Sequence, residues 1–151
     1  MQAAAEFVSF DDGAEASVPK DGGSVVLDGM SNANTITFSK GAGEIVTANI
    51  ASISYQANGA SATSGVAIPS DPGATKKFAF VLTLTASKNT TISERTQQIT
   101  ATTKGTKTAT ITLKQASGDP YLTIDKKSVN VPQDGSGVTL NVTTNTTFTV
   151  S

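Results

Sequence analysis

The chain has no cysteine, no histidine and no tryptophan among its 151 residues. Without cysteine there is neither a disulfide nor a thiolate metal ligand. Without histidine the Ser-His-Asp and Cys-His nucleophilic arrangements are excluded, as are histidine acid–base catalysis and zinc ligation by His or Cys. Charge is sparse as well. Eleven Lys and Arg oppose twelve Asp and Glu, for a net charge of −1. The basic stripe of a nucleic-acid-binding surface is therefore missing, and so is a cationic amphipathic stretch for a membrane surface. No apolar run approaches the length of a membrane-spanning helix. The opening residues Met1-Gln2-Ala3-Ala4-Ala5-Glu6 lack the basic region, apolar core and cleavage site of an export signal. The expectation is a non-enzymatic protein with no cofactor, no metal, no nucleic-acid partner and no membrane insertion. Its length suffices to bury a core without disulfides.

What is present is strand signal. Segment 76–86 alternates Phe78, Phe80, Leu82 and Leu84 with Ala79, Val81, Thr83 and Thr85. Segment 106–115 alternates Ala109, Ile111 and Leu113 with Thr108, Thr110 and Thr112. That period of two is the mark of a half-buried strand. Segments 24–28, 34–39, 97–103, 138–143 and 146–151 read the same way, and 45–55 is apolar but alternates less cleanly. Threonine at the outward positions suits a pleated, solvated face. The Ala-rich stretch 57–62 is broken by Gly59 and reads as a loop. Turn pairs punctuate the chain at Asp12-Gly13, Asp21-Gly22-Gly23, Asp28-Gly29, Asn58-Gly59, Lys104-Gly105 and Asp134-Gly135, with Ser70-Asp71-Pro72-Gly73 as another. Many short strands with Gly-rich punctuation predict an all-β sandwich.

The chain also repeats itself. Val18-Pro19-Lys20-Asp21-Gly22-Gly23-Ser24-Val25-Val26-Leu27 matches Val131-Pro132-Gln133-Asp134-Gly135-Ser136-Gly137-Val138-Thr139-Leu140. After a one-residue slip, Thr35-Ile36-Thr37-Phe38-Ser39 matches Thr147-Phe148-Thr149-Val150-Ser151. Self-similarity at a fixed distance indicates tandem copies of one unit. The repeated proline, with no N–H, suits an edge strand that breaks or switches sheets. The first copy spans 1–117, a linker 118–120, and an incomplete second copy 121–151. Two or three strands without a covering layer are marginal. They leave Val138, Leu140, Phe148 and Val150 on strands with no partner. Either the polypeptide continues and finishes that module, or another subunit completes the sheet by strand addition.

Three stretches carry a family resemblance. The first is the repeated opening, leading to Ser31-Asn32-Ala33-Asn34-Thr35-Ile36-Thr37-Phe38-Ser39 and to Thr144-Asn145-Thr146-Thr147-Phe148-Thr149-Val150-Ser151. The second is Ser87-Lys88-Asn89-Thr90-Thr91-Ile92-Ser93-Glu94-Arg95 followed by Gln98-Ile99-Thr100, and the third is Ala109-Thr110-Ile111-Thr112-Leu113-Lys114-Gln115-Ala116. In these the chain resembles the BACON family of immunoglobulin-like modules, associated with Bacteroidetes and with carbohydrate binding. The resemblance implies an immunoglobulin-like β-sandwich, one complete module plus the opening strands of a second. It also implies a setting on Bacteroidetes surface proteins or on virion proteins of crAss-like phages. The family commonly carries tryptophan just after the opening Asn, where this chain has Thr35, Ile36 and Phe148. A ligand inference leaning on exposed tryptophan does not carry over.

Few residues remain for chemistry. Asp11, Asp12 and Glu15, or Glu44 and Glu94, are the carboxylates from which an acid–base pair would come; beside glycine they read more simply as turn and solvated residues. Asp11-Asp12-Gly13-Ala14-Glu15 lacks the alternating ligands of an EF-hand loop, so a turn is expected there rather than calcium. Asn89 and Arg95 read as structural turn residues, the arginine bracing neighbouring strands through carbonyls or a carboxylate. Tyr55, beside a Gly-containing loop, is the candidate platform for a sugar ring; the simpler reading is a half-buried tyrosine capping the core. Tyr121, after the linker proline, is expected to pack between the two copies. The leading expectation is a structural or display protein on a virion, or extracellular on a cell surface, partnered by other protein subunits. A glycan-binding module is the alternative.

Overall fold

The computed structural model describes residues 5–69 and 77–151. The turn expected at Ser70-Asp71-Pro72-Gly73 lies outside the described residues. The fold is an all-β, immunoglobulin-like sandwich followed by a two-stranded unit.

The first sheet contains β1 (Val8–Phe10), β3 (Gly23–Ser31), β5 (Ser54–Ala57), β6 (Ala60–Thr63) and β7 (Phe78–Ala86), in the order β1-β3-β7-β5-β6. The second contains β2 (Glu15–Val18), β4 (Ile36–Lys40), β8 (Arg95–Thr103) and β9 (Thr108–Gln115), in the order β2-β9-β8-β4. The backbone of the first sheet is the antiparallel ladder from Gly23↔Ala86 to Ser31↔Phe78. All pairs are antiparallel except β2 with β9. β1 lies against β3 and β2 against β9, so the chain changes sheets at 11–14 and again at 19–22. Pro19 sits at the second change, directly after edge strand β2, where a missing N–H leaves no ladder bond unmade.

Alternation fixes the core. In β7 every second residue from Phe78 to Ala86 is buried, and β9 buries Ile111 and Leu113. Phe38 of β4 enters between two rings of the opposite sheet, edge-on to Phe80 at 5.6 Å and to Tyr55 at 4.9 Å; Phe10 adds a further edge contact to Phe80 at 5.8 Å. Such edge-to-face contacts add to burial itself and tie the two layers together.

Four sequence expectations are corrected. Asp28-Gly29 is not a turn: both residues lie within β3, paired with Val81 and Phe80. Residues 57–62 are not a loop: they close the β5–β6 hairpin, with Asn58 at φ 49° and Gly59 at φ 76°. A two-residue Asn-Gly turn with both residues left-handed matches the twist of its strands. Segment 45–55 is strand only from Ser54 onward. Ile45 and Val46 are wholly buried outside any strand, and a 3-10 turn, Ile50–Ser52, follows, with the Asn49 side chain accepting from the Ala51 nitrogen at 3.2 Å. Buried side chains without a ladder blur the alternation there. The last correction is in the second unit. The two-stranded unit pairs β10 (Leu122–Ile124) with β11 (Val142–Thr144), and neither 138–141 nor 146–151 is a strand.

Candidate interaction surface

Within the sandwich the carboxylates are spent on structure or left in solvent. The 11–14 turn is held by the Phe10 carbonyl accepting from the Gly13 nitrogen at 3.3 Å, with Gly13 at φ 77°. Glu15 pairs with Lys114 at 2.8 Å across two exposed side chains. Asp11, Asp12, Glu44 and Glu94 are exposed. Among the described residues no three acidic side chains gather to hold a metal ion.

Tyr55 is not a platform. Its side chain is 2 % exposed, inside the core against Phe38, because Tyr55 and Ala57 take the inward positions of β5. Its hydroxyl lies near the Ile36 backbone but has no partner of hydrogen-bond geometry. Burial pushes its pKa up, and the nearby backbone offsets this in part.

Asn89 and Arg95 belong to a buried polar clasp at one end of the sandwich. The Gln115 Oε1 accepts from the Arg95 Nε (3.1 Å) and Nη2 (2.6 Å), while its Nε2 donates to the Pro19 and Ser87 carbonyls at 3.0 and 2.6 Å. Arg95 also reaches the Ser87 hydroxyl at 3.2 Å; no carboxylate takes part in these bonds. Wholly buried Asn89 donates to the Ser93 and Ala116 carbonyls and accepts from the Thr91 nitrogen and hydroxyl. A second buried amide, Gln97, accepts from the Val46 nitrogen at 2.7 Å and donates to the Gly41 and Gly43 carbonyls. Sequence reading misses Gln97, although it shares the inward parity of Ile99 and Ala101. Each amide satisfies loop backbone that would otherwise be buried unpaired.

The clasp continues into the second unit. The Gly118 nitrogen donates to the Thr91 carbonyl at 2.7 Å, Asp119 pairs with Lys20 at 2.6 Å, and the Asn145 Nδ2 donates to the Thr90 and Asp119 carbonyls, each at 2.9 Å. The Lys20 bond holds the Asp119 carboxyl below its ordinary pKa. Lys88, Asn89, Thr90, Asp119, Tyr121 and Asn145 line a cleft of about 420 Å³ at this joint. Asp119 and the Asn145 amide are already engaged within it. The arrangement is that of a joint rather than a ligand site.

The two-stranded unit copies the opening of the sandwich bond for bond. The Phe7 nitrogen donates to the Asn32 Oδ1 at 2.9 Å, and the Tyr121 nitrogen to the Asn145 Oδ1 at 3.0 Å. The Ser31 hydroxyl donates to the Phe7 carbonyl at 2.8 Å, and the Thr144 hydroxyl to the Tyr121 carbonyl at 2.7 Å. Asn32 reaches back to the Ala5 carbonyl as Asn145 does to that of Asp119. Val8↔Ser31 in one ladder corresponds to Leu122↔Thr144 in the other. Gly22 and Gly135 close matching turns on Pro19 and Pro132, at φ 74° and 78°.

Burial is where the copies part. Val18, Val25 and Leu27 are 3 %, 6 % and 0 % exposed; their counterparts Val131, Val138 and Leu140 are 73 %, 40 % and 46 % exposed. Phe148 and Val150, matching Ile36 and Phe38, are 46 % and 88 % exposed. Tyr121 also remains 46 % exposed. Val138, Leu140, Phe148 and Val150 thus stand at core positions of the repeat while remaining exposed.

No family model and no curated protein matches this chain. Among solved structures it is similar to an NMR structure of a protein from Bacteroides thetaiotaomicron, at 12 % identity and a TM-score of 0.34, covering 78 % of this chain and 93 % of that one. A likeness at that score carries no argument.

Proposed function

We propose that this chain is a non-enzymatic structural or display protein, a β-sandwich module that assembles with other protein subunits on a virion or cell surface. The observation that carries the reading is the exposed apolar set Val131, Val138, Leu140, Phe148 and Val150, borne on a unit that repeats the sandwich's opening hydrogen bonds. Burying one such side chain is worth about 1.5–3 kcal/mol, so this face favours a protein partner. The glycan-binding alternative has lost its platform with the burial of Tyr55. Native mass spectrometry of the protein from its natural source, beside a glycan array, tests the reading. Multi-subunit assemblies that dissociate in Leu140→Asp support it. A stable monomer that binds glycans selectively overturns it.

A further inference from the structure

The joint between the two units is tighter than a Gly-Asp-Pro linker requires, since linked modules ordinarily move against each other. Here each linker residue is fixed. Gly118 is buried, and its nitrogen donates to the Thr91 carbonyl at 2.7 Å. A Cβ at Gly118 would run into the Asn89 carbonyl oxygen, so the two backbones are in direct contact. Asp119 is held by its side chain to Lys20 at 2.6 Å and by its carbonyl to the Asn145 Nδ2 at 2.9 Å. Pro120 has its φ set by its own ring. The same Asn145 nitrogen donates to the Thr90 carbonyl at 2.9 Å, which carries the contact past the linker and into the second unit.

The groups on the sandwich side are fixed in turn. Wholly buried Asn89 holds the turn that offers the Thr90 and Thr91 carbonyls, and ties it to the end of β9 through the Ala116 carbonyl. The Asn89 nitrogen donates to the Lys20 carbonyl at 2.8 Å, so this turn and the Pro19–Gly22 turn make one platform. The latter turn needs no lysine. Its copy carries Gln133 and closes with the same bond, from the Gly135 nitrogen to the Pro132 carbonyl at 3.1 Å. The Lys20 side chain therefore serves the joint rather than the turn.

We propose that the Lys20 and Asn89–Thr91 turns form a socket that orients the following unit and keeps β10 and β11 in order, so that sandwich and second unit move as one body. One amide makes the coupling. Asn145 Oδ1 closes the opening of the β10–β11 pair by accepting from the Tyr121 nitrogen at 3.0 Å, while its Nδ2 anchors that pair to the sandwich. Two short strands are marginal by themselves, so order there is drawn from the socket. The consequence is mechanical: the second unit is presented at a fixed angle instead of on a flexible tether. This holds whatever covers the exposed apolar face of 121–151.

The test uses the whole chain. Residual dipolar couplings and nitrogen relaxation should show the amides of β10 and β11 sharing one alignment frame and one tumbling time with the sandwich. Lys20→Gln, the residue of the second copy, combined with Gly118→Ala should abolish that sharing while β7 and β9 keep their couplings. Neither substitution lies in β10, β11 or Asn145, so the loss would be transmitted through the socket. Glu15→Gln, which breaks the exposed pair with Lys114 instead, should leave the sharing intact. Separate frames in the unaltered chain overturn the proposal, as does a double variant that keeps a single frame or an equal loss in Glu15→Gln. Should the double variant fail to fold, Lys20→Gln alone decides: reduced couplings in β10 and β11 support the socket, and unchanged ones overturn it.

Discussion

Tyr55→Phe separates a structural tyrosine from a binding one. The hydroxyl is buried and has no hydrogen-bond partner, and a buried polar group left unmade costs about 1–3 kcal/mol. Removing it leaves the ring in its edge contact with Phe38 at 4.9 Å, so the substitution should be stabilising by about 1 kcal/mol. For a domain of this size that is a rise in Tm of roughly 4 °C. Tyr55→Ala should instead cost about 3–5 kcal/mol, as expected for emptying an aromatic site in a core; any loss of ligand binding in that variant would therefore report unfolding. Burial also sets a pH dependence. The folded phenol has its pKa raised above 10.0, so the folded state holds the proton that the unfolded state releases. This contribution is fully present below the unfolded value and is lost as pH rises through the folded one. Urea melts from neutral pH into the alkaline range, in a Tyr121→Phe background so that Tyr55 is the last phenol, should show stability falling above that value. Tyr55→Phe should flatten the fall. A Tyr55→Phe variant less stable by 1 kcal/mol or more refutes the reasoning, because it would show that the hydroxyl is bonded.

Four further outcomes follow from the clasp and the joint. Gln115→Ala strips two carbonyls and the Arg95 guanidinium of their shared partner and should cost about 2–3 kcal/mol in chemical denaturation; Arg95→Lys, which cannot fork onto one oxygen, should cost about 1 kcal/mol. Gly118→Ala should disturb the joint more than the sandwich, because a Cβ there collides with the Asn89 carbonyl oxygen and lies 2.9 Å from that of Thr91; amide shifts spreading from Thr91 to Asn145 would show it. The Asp119 carboxyl is held low by Lys20, so its contribution is present above the ordinary carboxylate value of 3.8 and lost as pH falls through the folded one. Acid titration by NMR should show that depressed value return to normal in Lys20→Ala.

The sequence made some elements legible and hid others for physical reasons. β7 and β9 are readable because each faces the opposite layer along its whole length, so size alternates with every residue. β6 is not, because Ala60-Ser61-Ala62-Thr63 offers no contrast in size; its strand character comes from the Asn58-Gly59 turn and from β5. β1 and β2 are three and four residues long, too short to show a period, and each depends on a neighbour distant in sequence. Asn89 and Arg95 are visible as turn residues, but the partner of Arg95, Gln115, is visible only by its parity with Ile111 and Leu113. Tyr55 misleads because a short strand beside a loop leaves its inward face undetermined until Phe38 arrives from the other sheet. In 121–151 the repeat shows which residues match core positions, but it hides that 138–141 and 146–151 are not strands, because a repeat carries the pattern and not the neighbour that a strand pairs with.

Magnitudes decide what a single added strand achieves. Burying what remains exposed of Val138, Leu140, Phe148 and Val150, at 40 %, 46 %, 46 % and 88 %, would contribute roughly 3–7 kcal/mol on a scale of about 1.5–3 kcal/mol for a fully exposed side chain. Association itself costs an estimated 4–15 kcal/mol, and ordering 136–141 into a strand adds to that. A lone strand covers Val138 and Leu140 along one edge but leaves Phe148 and Val150 without the layer that Ile36 and Phe38 meet in the sandwich. Its binding should therefore be weak and reversible. Lasting completion requires a strand that arrives together with a second sheet, so that all four side chains are covered in one event. Further polypeptide or a partner subunit supplies both at once, whereas a glycan or a lone peptide does not.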